Sequence, residues 1–144
     1  MITAATEKEY PEIIDVWEQS VRATHHFLPE EYLQQIKTML HSIFPAVQLF
    51  VAHDDNKITG FLGVAEKKIE MLFIHPGSRG KGIGKQLTAF AIQELQANKV
   101  DVNEQNEQAT GFYQRMGFVV SGREETDGLG KPYPWLLMEL RSQR

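Results

Sequence analysis

The segment Arg79-Gly80-Lys81-Gly82-Ile83-Gly84-Lys85 most constrains what this chain can fold into. It follows a strand-like apolar run, Ile69 to Ile74. It opens a helical pattern marked by Ile83, Leu87, Phe90, Ala91 and Leu95. A strand, a glycine-rich turn and a helix N-terminus in that order make an anion site. The first N–H groups of the helix lack partners within it, and the helix dipole favours negative charge there. The glycines let the backbone bend and let a phosphate come close to it. Arg79, Lys81 and Lys85 add positive charge. That density of glycines and cations exceeds what a tight surface turn needs.

Two familiar phosphate loops do not fit. The loop G-x-x-x-x-G-K-[ST] needs a hydroxyl after the lysine, but Gln86 follows Lys85, and Arg79 stands at the first glycine position. The dinucleotide fingerprint G-x-G-x-x-G needs a glycine where Lys85 stands. What remains is R-x-x-G-x-G, set between a strand and a helix.

The length of 144 residues predicts one domain, 1–144, able to bury a proper core without staples. The longest apolar runs fall short of the roughly 20 residues a membrane helix needs, so no membrane partner is expected. The first residues lack the basic and apolar regions of a signal peptide, and the chain has no cysteine. A cytoplasmic location is expected, without disulfides, thiolate metal sites or a cysteine nucleophile. The net charge of -4 argues against a broad basic face for nucleic acid. The cations of the glycine loop are a local feature on an acidic background.

Ile2 suits a short first strand. Thr6-x-x-Glu9 is a capping box opening a helix with Ile13, Ile14, Trp17 and Val21 on one face. Thr24 to Leu28 is a break, and Pro29 restarts a helix that carries Leu33, Ile36, Leu40 and Ile43. Residues 47–53 and 58–65 predict a hairpin around Asp54-Asp55-Asn56-Lys57, and 68–74 the next strand. A short strand at 100–103 precedes a helix capped by Asn106, with Ala109, Phe112, Tyr113 and Met116 on one stripe and Gly117 as its stop. Residues 118–123 and 134–140 are the last strands. The fold class is α/β, in the order β-αα-βββ-α-β-α-ββ.

These motifs resemble the GNAT superfamily of acetyl-CoA-dependent N-acetyltransferases. The R-x-x-G-x-G loop is similar to its pyrophosphate motif. The segment from Asn103 to Asn106, followed by Ala109-x-x-Phe112-Tyr113-x-x-x-Gly117-Phe118, is similar to its second signature. The stretches 20–28 and 130–134 also resemble a small bacterial subgroup of uncharacterised acetyltransferases, a match that says little about substrate. The resemblance implies a mixed, mostly antiparallel sheet of about seven strands with four helices.

It further implies acetyl-CoA as co-substrate, with no metal. The amides of Gly80, Lys81, Gly82, Ile83, Gly84 and Lys85, with Arg79, would cradle the pyrophosphate. The backbone of Leu72, Phe73 and Ile74 would pair with the pantetheine arm, because strands four and five of this family splay apart. Tyr113 stands at the family's general acid, although its place in an apolar stripe also suits a core residue. Asn106 stands where the family often contacts the cofactor, and Asn103, at the end of the fifth strand, is a candidate to face the cofactor cleft, although a helix cap and a strand-end turn account for them as well.

The reaction implied is direct attack of a primary amine on the thioester in a ternary complex. Glu70 is the candidate base, set by strand alternation on the face of Lys68 and Leu72. His25 and His26 at the helix break, with Phe27 and Tyr133, are candidates for the acceptor wall. The acceptor is expected to be a small-molecule amine or a lysine side chain, and the sequence leaves the oligomeric state open. A non-catalytic acyl-CoA sensor and a transferase of a longer acyl group are the rival readings.

Overall fold

The structure, a computed structural model, describes residues 1–141. In chain order the elements are β1 (Ile2–Ala4), α1 (Tyr10–Thr24), α2 (Glu30–Ile43), β2 (Gln48–Asp54), β3 (Lys57–Ala65), β4 (Lys68–Ile74), α3 (Ile83–Glu94), β5 (Lys99–Asn103), α4 (Glu107–Arg115), β6 (Phe118–Glu124) and β7 (Trp135–Leu140). This is the expected order. The strands form one sheet of seven, arranged β1-β2-β3-β4-β5-β7-β6. Every neighbouring pair is antiparallel except β4 and β5.

Local chemistry accounts for the ends of these elements. The Glu9 carboxylate accepts from the Thr6 N–H at 2.8 Å, and a single 3-10 turn then leads into α1 with Pro11 in its first turn. Asn106 caps α4 by accepting from the Ala109 N–H at 3.1 Å. Gly117 follows α4 at φ 103°. The hairpin between β2 and β3 is tighter than the sequence suggests. Only Asp55 and Asn56 form the turn, at φ 50° and 63°, so the ladder runs on to Asp54 and Lys57. Short side chains that tolerate left-handed backbone allow this two-residue turn.

The helices cover the sheet in pairs. Ile13, Val16, Trp17 and Val21 of α1, with Leu33 and Leu40 of α2, bury one face together with Val51 and Phe61. On the other face Leu87 and Ala91 of α3 and Tyr113 of α4 pack with Leu62, Val64, Val100 and Met138. Each such large side chain fully removed from water contributes about 1.5–3 kcal/mol.

One irregularity in this frame positions everything that follows. β4 and β5 pair only at Lys68↔Lys99 and Ile69↔Val100. Beyond those residues the strands part, and the edge of β4 from Met71 to Ile74 has no strand partner on that side among the described residues. The helix of the crossover, α3, begins at the mouth of the gap.

Candidate active site

The gap between β4 and β5 opens into a cleft of about 400 Å³. Leu72, Phe73 and Ile74 line one side, and Arg79, Gly80, Gly82, Ile83, Gly84 and Lys85 close one end. Gly80 and Gly82 hold left-handed backbone at φ 78° and 79°, and a Cβ at either would meet nothing within 4 Å. The turn is therefore an open concavity that a side chain would fill. Arg79, Lys81 and Lys85 make no ion pair among the described residues. Lys81 is exposed and lies outside the cleft lining. An open turn of backbone N–H groups at a helix start, with Arg79 and Lys85 beside it, fits a diphosphate.

Asn103, Asn106 and Tyr113 line the same cleft from the β5–α4 side. Asn103 accepts from the Gln105 N–H at 3.0 Å, so its side chain also shapes the turn into α4. Tyr113 is 6% exposed, and its ring meets Phe112 and Phe118 edge-on. Its hydroxyl has no protein hydrogen-bond partner among the described residues, yet it is not sealed from the cleft. Burial pushes the phenol well above its ordinary value, so the proton stays in place.

Glu70 departs from the expected geometry. The β3–β4 ladder pairs Gly63 with Met71 and Val64 with Ile69, leaving Glu70 as the extra residue of a bulge. The bulge shifts the phase of the strand. Ile69 and Leu72 pack against α3 and α4, whereas Met71 and Phe73 pack against α1 and α2. Lys68 and Leu72 therefore point to opposite faces, and Glu70 does not share one face with both. A bulge re-aims a side chain, and Glu70 reaches the place where both faces meet.

On the α1–α2 face lies a second chamber of about 410 Å³, unmarked by any motif. Ile36, Met39, Leu40 and Ile43 give it aliphatic walls, and Glu70, Asp101 and Asp127 give it carboxylates. Glu70, Asn103 and His25 line both chambers, so the two adjoin at the splayed strands. Desolvation raises the Glu70 carboxyl above its ordinary range; Lys68 opposes this, and Asp101 and Glu66 reinforce it. Lys68 is itself bound to Asp101 at 2.9 Å. Sequence spacing did not single out Asp101, which lies in a strand distant from the glycine turn. The loop from Asp127 to Gly130, between the last two strands, is by contrast a sequence candidate to close the cleft, and Asp127, Gly128 and Leu129 line this chamber.

His25 ends α1, and its backbone N–H donates to the Val21 carbonyl at 2.7 Å. Burial, then Arg79 and His26, lower its imidazole to about 4. The ring is neutral at pH 7. A folded-state value below the unfolded one means that the unfolded chain binds the proton more readily between about pH 6.5 and 4. Stability is retained above that window and lost as pH falls through it. The loss due to His25 is expected to be about 2 kcal/mol between pH 7 and pH 5. Urea titrations of the parent chain and His25→Phe at both pH values read it as the difference between their slopes. Equal acid sensitivity would refute it.

The other acceptor candidates are not all brought together. His26 is exposed and lines neither chamber. The α1 end turns His25 inward and its neighbour outward. Phe27 and Tyr133 are half-buried and also line neither chamber; Tyr133 lies before β7 rather than at its start. They form a rim instead. Phe27 meets the His25 ring at 5.5 Å and Tyr133 at 5.9 Å, and Tyr133 stacks on Tyr32 at 5.4 Å. Tyr32 donates its hydroxyl to Asp127, which ties α2 to the β6–β7 loop over the second chamber.

Comparison with known proteins identifies the family and the fold. The profile of the Acetyltransferase (GNAT) domain family matches residues 12–132. A peptidyl-lysine N-acetyltransferase, YjaB of Salmonella typhimurium, is 41% identical over 136 residues, covering 94% of this chain and 94% of its own length. The solution structure of apo-form YjaB from Escherichia coli superposes with a TM-score of 0.90 at 38% identity, covering 99% of this chain and 98% of its own. A PaiA N-acetyltransferase from Thermoplasma acidophilum, solved in complex with coenzyme A, shares the fold with a TM-score of 0.76 at 21% identity, covering 98% of each chain. The name of that 41% identical relative includes an acceptor, peptidyl-lysine, which the motif resemblance did not provide. The chain belongs to the GNAT acetyltransferase superfamily and is an N-acetyltransferase that takes an acyl group from an acyl-coenzyme A and passes it to an amine.

Proposed function

We propose that the chain acetylates lysine side chains of peptides, using acetyl-CoA and direct attack in a ternary complex. The observation that carries this reading is the meeting of two chambers at the β4–β5 gap, with Glu70, Asn103 and His25 common to both. Donor and acceptor can enter from opposite faces of the sheet and meet without a covalent enzyme intermediate. The sequence has no cysteine to hold an acyl group. Peptidyl-lysine is the acceptor in the name of a 41% identical relative. The second chamber suits it: aliphatic walls take the four-carbon stem, and carboxylates attract the ammonium head.

In this reading the turn from Gly80 to Lys85, with Arg79, holds the diphosphate of the donor. The free edge of β4 from Met71 to Ile74 pairs with the pantetheine amides as an added strand would. Asn106 caps α4 and faces the donor. When bound, the donor supplies a thioester carbonyl activated for attack. Glu70 takes the proton that the amine loses, and Tyr113 offers its hydroxyl hydrogen to the departing sulfur. No metal is needed, because a base and a leaving-group donor suffice for thioester aminolysis.

Two measurements test this. Purified protein with acetyl-CoA and a lysine peptide is expected to release free thiol and add one acetyl group at the ε-amine, read by mass spectrometry. A protein that binds acetyl-CoA but modifies no peptide in a broad lysine panel would refute the assignment. Glu70→Gln is expected to lower kcat/KM about 10- to 100-fold near pH 7. A carboxylate base works only when ionised. The parent's activity therefore rises with pH through a carboxyl value above the ordinary one, and the variant lacks that limb. The deficit is expected to shrink toward pH 10 as the amine deprotonates unaided. A pH-independent deficit would remove Glu70 as the base.

A further inference from the structure

His25 is held so that only one of its ring nitrogens is free for chemistry. The Thr24 hydroxyl lies 2.9 Å from the Ser20 carbonyl oxygen and 2.7 Å from His25 Nδ1. A carbonyl oxygen cannot donate, so the single hydroxyl hydrogen of Thr24 points to Ser20. The Thr24 oxygen is then an acceptor toward His25, and Nδ1 must carry the ring hydrogen. A neutral imidazole has one N–H, which leaves Nε2 with a bare lone pair. The ring stays neutral because burial, Arg79 and His26 all oppose its protonation. Its backbone is pinned on both sides, by the bond to Val21 and by the Leu28 N–H donating to the His25 carbonyl at 3.1 Å. Phe27 packs on the ring. The residue that carries this fixed hydrogen-bond acceptor lines both chambers.

The partner of such an atom must be a donor. Near the reacting carbon a thioester offers only a carbonyl oxygen and a sulfur, both acceptors. The amine is the reactant with N–H groups to spare. We infer that the bare Nε2 of His25 accepts a hydrogen bond from the acceptor amine at the junction of the chambers, and so aims its lone pair at the thioester carbon. This rests on the amine-acceptor reading above. A primary amine has two N–H bonds once its lone pair is aimed; His25 takes one, and the other faces Glu70. As the C–N bond forms, the nitrogen becomes positively charged and its N–H bonds become stronger donors. The contact is thus worth more in the transition state than in the ground state. The proton leaves toward Glu70, because the His25 ring resists protonation. A chain built this way selects primary amines, since an N-methylated amine has one N–H and cannot satisfy both groups.

Steady-state kinetics with a lysine peptide and its Nε-monomethyl counterpart test the assignment in the parent, His25→Phe and His25→Gln. Phenylalanine keeps the aromatic contact and removes the acceptor. It is expected to lower kcat/KM for the lysine peptide about 10- to 100-fold, with acetyl-CoA affinity by calorimetry within about twofold. Glutamine, whose amide oxygen reaches the place of Nε2, is expected to restore much of that loss. The preference for lysine over methyl-lysine is expected to shrink in His25→Phe. Equal kinetics of the Phe and Gln variants, or an unchanged preference, would overturn the proposal. Nitrogen-15 spectra of the parent protein read the tautomer directly, and a proton on Nε2 would overturn it whatever the variants do. If the parent transfers to no lysine peptide, the lysine reading falls. The Nε2 resonance of the CoA-loaded protein titrated with n-butylamine then decides: a shift supports the assignment, and no shift overturns it.

Discussion

Tyr113→Phe is expected to lower kcat about 100-fold or more while leaving acetyl-CoA affinity within about twofold. The ring is buried between Phe112 and Phe118 in the core shared by α3 and α4, and phenylalanine fills the same space. The hydroxyl binds no protein group among the described residues, so its removal leaves no orphaned partner. The melting temperature should hardly move. Alanine would be a poor choice, because emptying so large a site costs about 3–5 kcal/mol and confuses folding with chemistry. The change therefore isolates one O–H facing the cleft. Burial holds that phenol above its ordinary value of 10.0, whereas a free thiol ionises near pKa ~8.5. Complete proton transfer to the thiolate is then uphill. Tyr113 acts by donating a hydrogen bond to sulfur as charge builds there, and solvent completes protonation later. That assigns the loss to kcat rather than to binding. Thiol release at saturating acetyl-CoA, with calorimetry for affinity, measures both; a kcat within about threefold of the parent would remove Tyr113 from the chemistry.

Signals carried within one segment were legible in the sequence. The Arg79–Lys85 turn announces itself by glycines and cations, and the structure places Gly80 and Gly82 in the left-handed backbone that such a turn requires. The Thr6–Glu9 box and the Asn106 cap are complete in four residues each, and both form. What the sequence hid depends on pairing between segments. The bulge at Glu70 arises from the register against Gly63 and Val64, and strand alternation read along β4 alone missed it. The turn at Glu66 and Lys67 is left-handed without glycine or asparagine, so no residue there marks it. The second chamber is assembled from α1, α2, β4, β5 and the loop before β7, and no contiguous motif records it. His25 was visible as a histidine at a break. Its fixed tautomer needed the hydroxyl of Thr24 and the carbonyl of Ser20 in three dimensions.

Gly82→Asp is expected to weaken acetyl-CoA binding about 100-fold or more, and Arg79→Ala about tenfold. Gly82 precedes α3 at φ 79°, and a Cβ there meets no protein atom within 4 Å. The new side chain therefore does not collide with the fold. Left-handed backbone costs a side chain about 1–2 kcal/mol, less for aspartate, and a carboxylate at a helix N-terminus regains about 0.3–1 kcal/mol. The protein should stay folded. The substitution acts on the ligand instead, filling the concavity and setting a negative charge against a diphosphate. Arg79→Ala removes one cation and leaves the turn intact, which is why its effect is smaller and fades as salt rises. Calorimetry with acetyl-CoA, and with acetyl-pantetheine as the fragment that lacks the diphosphate, separates the two halves of the donor site. Gly82→Asp should bind the fragment as the parent does, because the β4 edge from Met71 to Ile74 is untouched. An equal loss for fragment and full donor would mean that the turn shapes the whole cleft rather than holding the diphosphate. Binding of acetyl-CoA within about threefold of the parent would dismiss the turn as the anion site altogether.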